Sequence, residues 1–222
     1  MEQIKELSFN KYSALSILFI ALSSSFFLLA VKMKLTHSYH YLFLVWNIFL
    51  AVIPYAITTY LKRNPKRYKL SLVLWLGIWL LFLPNAPYIV TDFVHLQYNY
   101  SHYFWLDVLI IAAFALSGLL LFYFSLLDFN KITAKYLSIK TQLYANAAIL
   151  FASAFGVYLG RYFRYNSWDI VSHPIDLIVD IFHLLTNPKS MTNPWLFTII
   201  FGLFLCGGFW IIKTLEQQKL KN

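Results

Sequence analysis

Apolar residues in this chain fall into six runs, each close to the length that crosses a membrane, and this spacing restricts the fold more than any motif does. The runs occupy residues 13–31, 41–60, 70–90, 103–127, 141–159 and 195–212. A bilayer core about 30 Å thick needs about 20 apolar residues in helical form. A single segment satisfies its backbone polar groups at that depth only as a helix. Charged residues make up 12% of the chain and hydrophobic residues 60%, whereas a soluble domain is roughly one quarter charged. The reading is an all-α, polytopic transmembrane bundle, one integral membrane domain over residues 1–222. A shorter stretch, 175–185, has Asp176, Asp180 and His183 on one helical face and Ile175, Ile178, Ile181, Phe182 and Leu185 on the remainder. It predicts a short amphipathic helix in the outer interface or over the bundle.

The net charge of +9 raises nucleic-acid binding and then argues against it. Phosphate-binding patches need adjoining exposed surface, and here the basic residues sit at the edges of the apolar runs. On one side fall Lys5, Lys11, Lys62, Arg63, Lys66, Arg67, Lys69, Lys131, Lys135, Lys140, Lys213, Lys219 and Lys221. The other side holds only Lys32, Lys34, Arg161, Arg164 and Lys189. Basic residues collect on the cytoplasmic side, so both termini are expected inside, in keeping with an even number of spans. The N-terminal stretch carries Glu2 and Glu6 and shows no clear small-residue cleavage site, which predicts a retained span and not a cleaved signal. Cys206 is the single cysteine and lies in an apolar run.

With that direction set, all six histidines (His37, His40, His95, His102, His173 and His183) lie outside. So do Asp92, Asp107, Asp169, Asp176 and Asp180, five of the nine acidic residues. Histidines and carboxylates from separate loops can build a metal site or an acid–base pair. They also serve simply as polar loop residues where Lys and Arg are disfavoured, and no zinc-protease spacing is present. Both readings stand.

Two segments rise above this background. In LPNAPYIVTDFVHL, residues 83–96, Pro84 and Pro87 force a turn after the third run. Thr91 and Asp92 are expected to cap a short helix, with Asp92 and His95 on one face. In GRYFRYNSWD, residues 160–169, Arg161 and Arg164 share a face if the helix continues, against the charge trend. An ion pair with Asp92, Asp107 or Asp169 would hold them there, as would an anionic lipid headgroup or a phosphorylated substrate. Asn166 and Asp169 match a capping pattern. Asp107, about one turn into the fourth run, is the costliest intramembrane group and is expected to pair with Arg161 or Arg164. Asn47, Pro54, Tyr144 and Asn146 suit interhelical hydrogen bonds or kinks.

Together the two segments resemble an uncharacterised bacterial family of multi-pass membrane proteins, domain of unknown function 1361. That resemblance extends from about the second run onward. It implies a bacterial plasma membrane location and no activity.

Three functions remain open. In the first, an outer-face membrane enzyme acts on a lipid or lipid-linked substrate. Asp92 and His95, with Asp169 and His173, would then be catalytic or hold a divalent metal, while Arg161, Arg164, Asn85 and Asn166 bind an anion. In the second, the chain is a membrane-embedded partner subunit, its unidentified protein partner alongside the membrane lipids. In the third, it is a small transporter, although no internal repeat of the kind many carriers show is visible.

Overall fold

The structure is a computed structural model that describes residues 2–65, 68–98, 103–186 and 194–219. Lys66, Arg67, Tyr100, His102, Lys189 and Lys221 lie outside the described residues, as do the side chains of Glu2, Lys5, Glu6, Lys11, Leu185 and Lys219. Every described regular element is helical: α1 (Glu2–Thr36), α2 (Phe43–Arg63), α3 (Lys69–Phe82), α4 (Asn85–Tyr88), α5 (Phe104–Thr133), α6 (Ile139–Tyr158), α7 (Asp169–Ser172), α8 (Pro174–Thr186) and α9 (Pro194–Lys219), with short 3-10 and π segments between them. Six stretches are long and apolar enough to cross a membrane: Ala14–Thr36, His40–Arg63, Lys69–Gln97, Phe104–Thr133, Ile139–Phe163 and Pro194–Gln218. Each coincides with one of the six runs and outlasts it by a few residues, because helices continue into polar flanks. The protein is a multi-pass membrane protein.

The helix α5 is the centre of the bundle, packed against α1, α2, α4 and α9. Of its most apolar window 56% is buried in protein, against 17% for α1. Apolarity alone does not bring helices together in lipid, so small and polar groups decide which faces meet. Ser117 of α5 meets Ser25 of α1 at 3.1 Å, and Ser125 meets Thr58 of α2 at 3.2 Å while accepting from Trp79 Nε1 of α3 at 2.7 Å. Each such bond contributes on the order of 0.6 kcal/mol. Gly118 lets α4 approach, since a Cβ there would stand 2.5 Å from the Ala86 carbonyl oxygen.

The strands of charge mark the two ends of this up-and-down bundle. At one, the lysine end, Lys62 pairs with Asp128 and Lys131 with Glu216 at 2.6 Å. At the other, the arginine end, lie the turn from α1 into α2, the break after α3, and everything from 159 to 186.

Pro84 and Pro87 do break the third span, and the carbonyls left over are satisfied within the protein. Ser167 Oγ donates to Leu81 O at 2.9 Å, Asn85 Nδ2 to Phe82 O at 2.8 Å and the Ala86 amide to Leu83 O at 3.2 Å. Non-helical backbone at membrane depth requires this. Beyond α4 the chain runs on as a 3-10 helix, Ile89–Tyr98, so the expected short helix is present but starts before Thr91 and Asp92, which were expected to cap it. Thr91 does not cap; its hydroxyl turns back to Tyr88 O at 2.7 Å.

Candidate functional site

A cleft of about 790 Å³ opens at the arginine end, between the break after α3, the end of α6 and the start of α2. Its mouth carries Asn85, His95, Arg161, Arg164, Asn166 and Ser167. Its deeper wall is apolar, from Trp46 and Leu50 of α2, Gly77 and Leu80 of α3, and Ala152 and Gly156 of α6.

The mouth is organised around Asp92, only 1% exposed. One carboxylate oxygen accepts from Asn47 Nδ2 at 2.8 Å, and the other accepts from Arg161 Nη2. Arg161 Nε donates to Thr91 Oγ1 at 2.8 Å, and its guanidinium lies over the Tyr88 ring, 4.4 Å from the centroid. One arginine thus ties the end of α6 to the 3-10 helix, and Asn47 ties α2 to both. His95 follows Asp92 at i, i+3, which the 3-10 helix stacks on one line. Its Nε2 is 3.9 Å from Asp92 Oδ1 and its ring packs on Phe43 at 4.9 Å.

Helix α6 ends in a π-turn, Leu159–Phe163, closed by Arg164 at φ 62. That left-handed conformation costs a non-glycine residue about 1 kcal/mol. It ends the helix before Arg164, so the two arginines do not share a helical face as the spacing suggested. Both nevertheless reach the cleft: Arg161 is fixed by its partners, whereas Arg164 is exposed and makes no ion pair among the described residues.

The remaining candidates sort apart. Both hydrogens of the Asn85 side-chain amide are committed, to Phe82 O and to Ser167 Oγ at 2.8 Å, which leaves that side chain no N–H for an anion. Asn166 lines the mouth, and its backbone N–H donates to Asp169 Oδ2 at 2.7 Å; this is only half of the expected capping pattern, since the N-cap of α7 is Trp168 and no side chain caps it. That bond, helped by Ser172, the Asn166 side chain and His173 and opposed by partial burial, holds the Asp169 carboxyl below the usual carboxylate range. His173 Nδ1 lies 3.9 Å from Asp169, but neither residue lines the cleft. Among the described residues no three of His, Cys, Asp and Glu converge as a metal would require. The two candidate ligands Asp92 and His95 are joined by no third, and both oxygens of Asp92 are already engaged. Asp107, fully buried, pairs with Lys32 of α1 at 2.5 Å and not with either arginine. The reason is packing: α1 covers the face of α5 that carries Asp107, while the end of α6 meets the 3-10 helix.

Sequence reasoning singled out neither Tyr88 nor Ser167, and missed Lys32 as the partner of Asp107. Tyr88 and Ser167 are ordinary interfacial residue types until a partner distant in sequence, Arg161 for Tyr88 and Leu81 for Ser167, is folded beside them. Residues 46–207, well over half of the chain, match the model of a family described as a protein of unknown function, DUF1361. The match spans α2 from its first turn through about the first half of α9 and so includes the whole cleft. Comparisons with curated proteins and with solved structures found no match.

Proposed function

Because the chain belongs to the DUF1361 family of proteins of unknown function, and membership brings no chemistry with it, we propose from the cleft that this is an outer-face membrane enzyme acting on a lipid or lipid-linked substrate with an anionic headgroup. The observation that carries the reading is that one cleft joins a cationic mouth to an apolar interior. Arg164 supplies the free guanidinium for a phosphate or carboxylate. Arg161, already bound to Asp92, adds positive potential and holds the mouth together. His95 is the imidazole of the cleft, the side-chain type most often used to accept and donate a proton, and Asp92 stands beside it as the positioning carboxylate. The excess of Lys and Arg at the lysine end supports a cytoplasmic assignment for that end and for both termini, which leaves the cleft outside. The family resemblance supports a bacterial plasma membrane.

The test compares lipid extracts and lipid binding for wild type, Arg164→Gln and His95→Gln. Purified protein in nanodiscs is expected to retain phosphatidylglycerol over phosphatidylcholine, and Arg164→Gln to weaken that preference about tenfold. His95→Gln is expected to leave binding unchanged while abolishing a lipid product that accumulates only in cells expressing the wild type. Equal retention of both lipids by wild type and Arg164→Gln would sink the proposal.

A further inference from the structure

The interior of the cleft lies within the membrane-spanning stretches, and this says where a ligand comes from. Gly77 is seven residues before Pro84, which puts it about 10 Å along α3 from the break. Ala152 is nine residues before Arg161, about 13 Å along α6. The cleft therefore descends through about a third of a hydrocarbon layer about 30 Å thick. The residues that line it at that depth, Gly77 and Leu80 of α3 and Ala152 of α6, carry no polar side chain. The two helices that flank it make no extended contact, since α3 packs on α2 and α6 packs on α9 and α4. Gly77 and Ala152 are both exposed at this gap, and a Cβ on Gly77 would meet nothing within 4 Å. Gly156, by contrast, is small because Pro84 of the break presses on it, with a Cβ there only 2.7 Å from the proline ring. The break and α6 thus close the gap near the mouth, and the gap opens toward lipid lower down.

Resting on the reading above, we infer that the slot between α3 and α6 takes an acyl chain of the lipid whose headgroup sits at Arg164, and that the lipid enters sideways from the bilayer. A headgroup phosphate without a chain would use only the mouth. An acyl chain in the slot would continue the surrounding hydrocarbon and replace contacts the two helices do not make with each other. The arginine and the slot then read two parts of one amphiphile, the anion and the tail.

Gly77→Phe fills the slot from a position with open space around it and leaves both arginines in place; Ala152→Phe fills it from the opposite wall. Each variant is reconstituted in nanodiscs of phosphatidylcholine with phosphatidylglycerol, and retained lipid is read by native mass spectrometry. Binding of glycerol phosphate, the headgroup without tails, is measured alongside. Both fillings are expected to lower phosphatidylglycerol retention about tenfold and leave glycerol phosphate binding unchanged, with melting temperatures close to wild type. If the fillings leave retention intact while Arg164→Gln abolishes it, the tail slot is wrong and the headgroup reading stands. If Arg164→Gln also has no effect, both fall. Should one filled variant fail to fold, the other still decides.

Discussion

Arg161 and Arg164 are three residues apart and carry the same charge, yet the fold uses them in opposite ways. Arg161 is 15% exposed at the side chain and bound to Asp92, Thr91 and the Tyr88 ring. Removing one partner of a buried pair strands the other, at a cost of about 3–5 kcal/mol. Arg161→Gln and Asp92→Asn should each lower the unfolding midpoint of the detergent-solubilised protein by an amount in that range. The double variant should lose clearly less than the sum of the two; strict additivity would mean the residues do not act as a pair. Arg164 behaves the other way, because it occupies a left-handed cap that glycine adopts at no steric cost. Arg164→Gly should therefore leave stability unchanged or raise it by up to about 1 kcal/mol, while anionic-lipid retention is lost. An arginine kept where glycine fits better is itself an argument for ligand contact, and a large destabilisation on Arg164→Gly would remove it. The sequence named both arginines and Asp92, but not which arginine Asp92 holds, since that depends on where a turn ends α6.

At the scale of elements, α8 shows how far a periodic pattern carries. Its existence and length were legible from the spacing of 175–185, because amphipathicity is a local property. The faces were not. Asp180 was grouped with Asp176 and His183 on one polar face, but it turns inward and accepts from the Tyr165 hydroxyl at 2.7 Å. Leu184 is buried against Tyr158 and Leu159, while Ile175, Ile178 and Phe182 are exposed and suit an interfacial position. The bond to Asp180 is the main cause that pushes the Tyr165 phenol up to about 12, with partial desolvation and the charges of Asp180, Asp176 and Asp169 adding to it. An unfolded tyrosine titrates near 10, so the docked state favours the protonated phenol. That contribution is complete below about pH 10 and disappears as pH rises toward about 12. A fluorophore on Val179→Cys, in a Cys206→Ser background, should report a docked α8 up to about pH 10 and progressive release above it. In Tyr165→Phe the same probe should report weaker docking with no transition between about pH 10 and pH 12. A transition that survives the substitution would assign it to another group. Helix α1 presents the same lesson with charge: Lys32→Met should loosen α1 by stranding buried Asp107, and Lys32→Met with Asp107→Leu should recover most of the loss, as judged by protease resistance of the α1–α2 turn.

At the scale of the whole molecule, the six spans were readable because a span declares itself by its own length and apolarity. The central place of α5 and the gap between α3 and α6 were not, because lipid is as apolar as a leucine side chain and hydrophobicity does not rank helix neighbours. What ranks them is scattered: Ser117 and Ser125 on α5, Gly118 beneath Ala86, Asn47 beside Asp92. Orientation belongs to this scale as well, and the cleft has no outer-face chemistry without it. Single cysteines replace Asn64 and Ser138 in the turns of the lysine end, and Ser38 and Ser172 at the arginine end, each in a Cys206→Ser background. In intact cells, a membrane-impermeant maleimide should label the Ser38→Cys and Ser172→Cys variants and spare the other two until the membrane is opened. The opposite pattern would turn the protein over: the end with the excess of basic residues would face outward against the usual bias, and the substrate of the cleft would have to be sought in the inner leaflet.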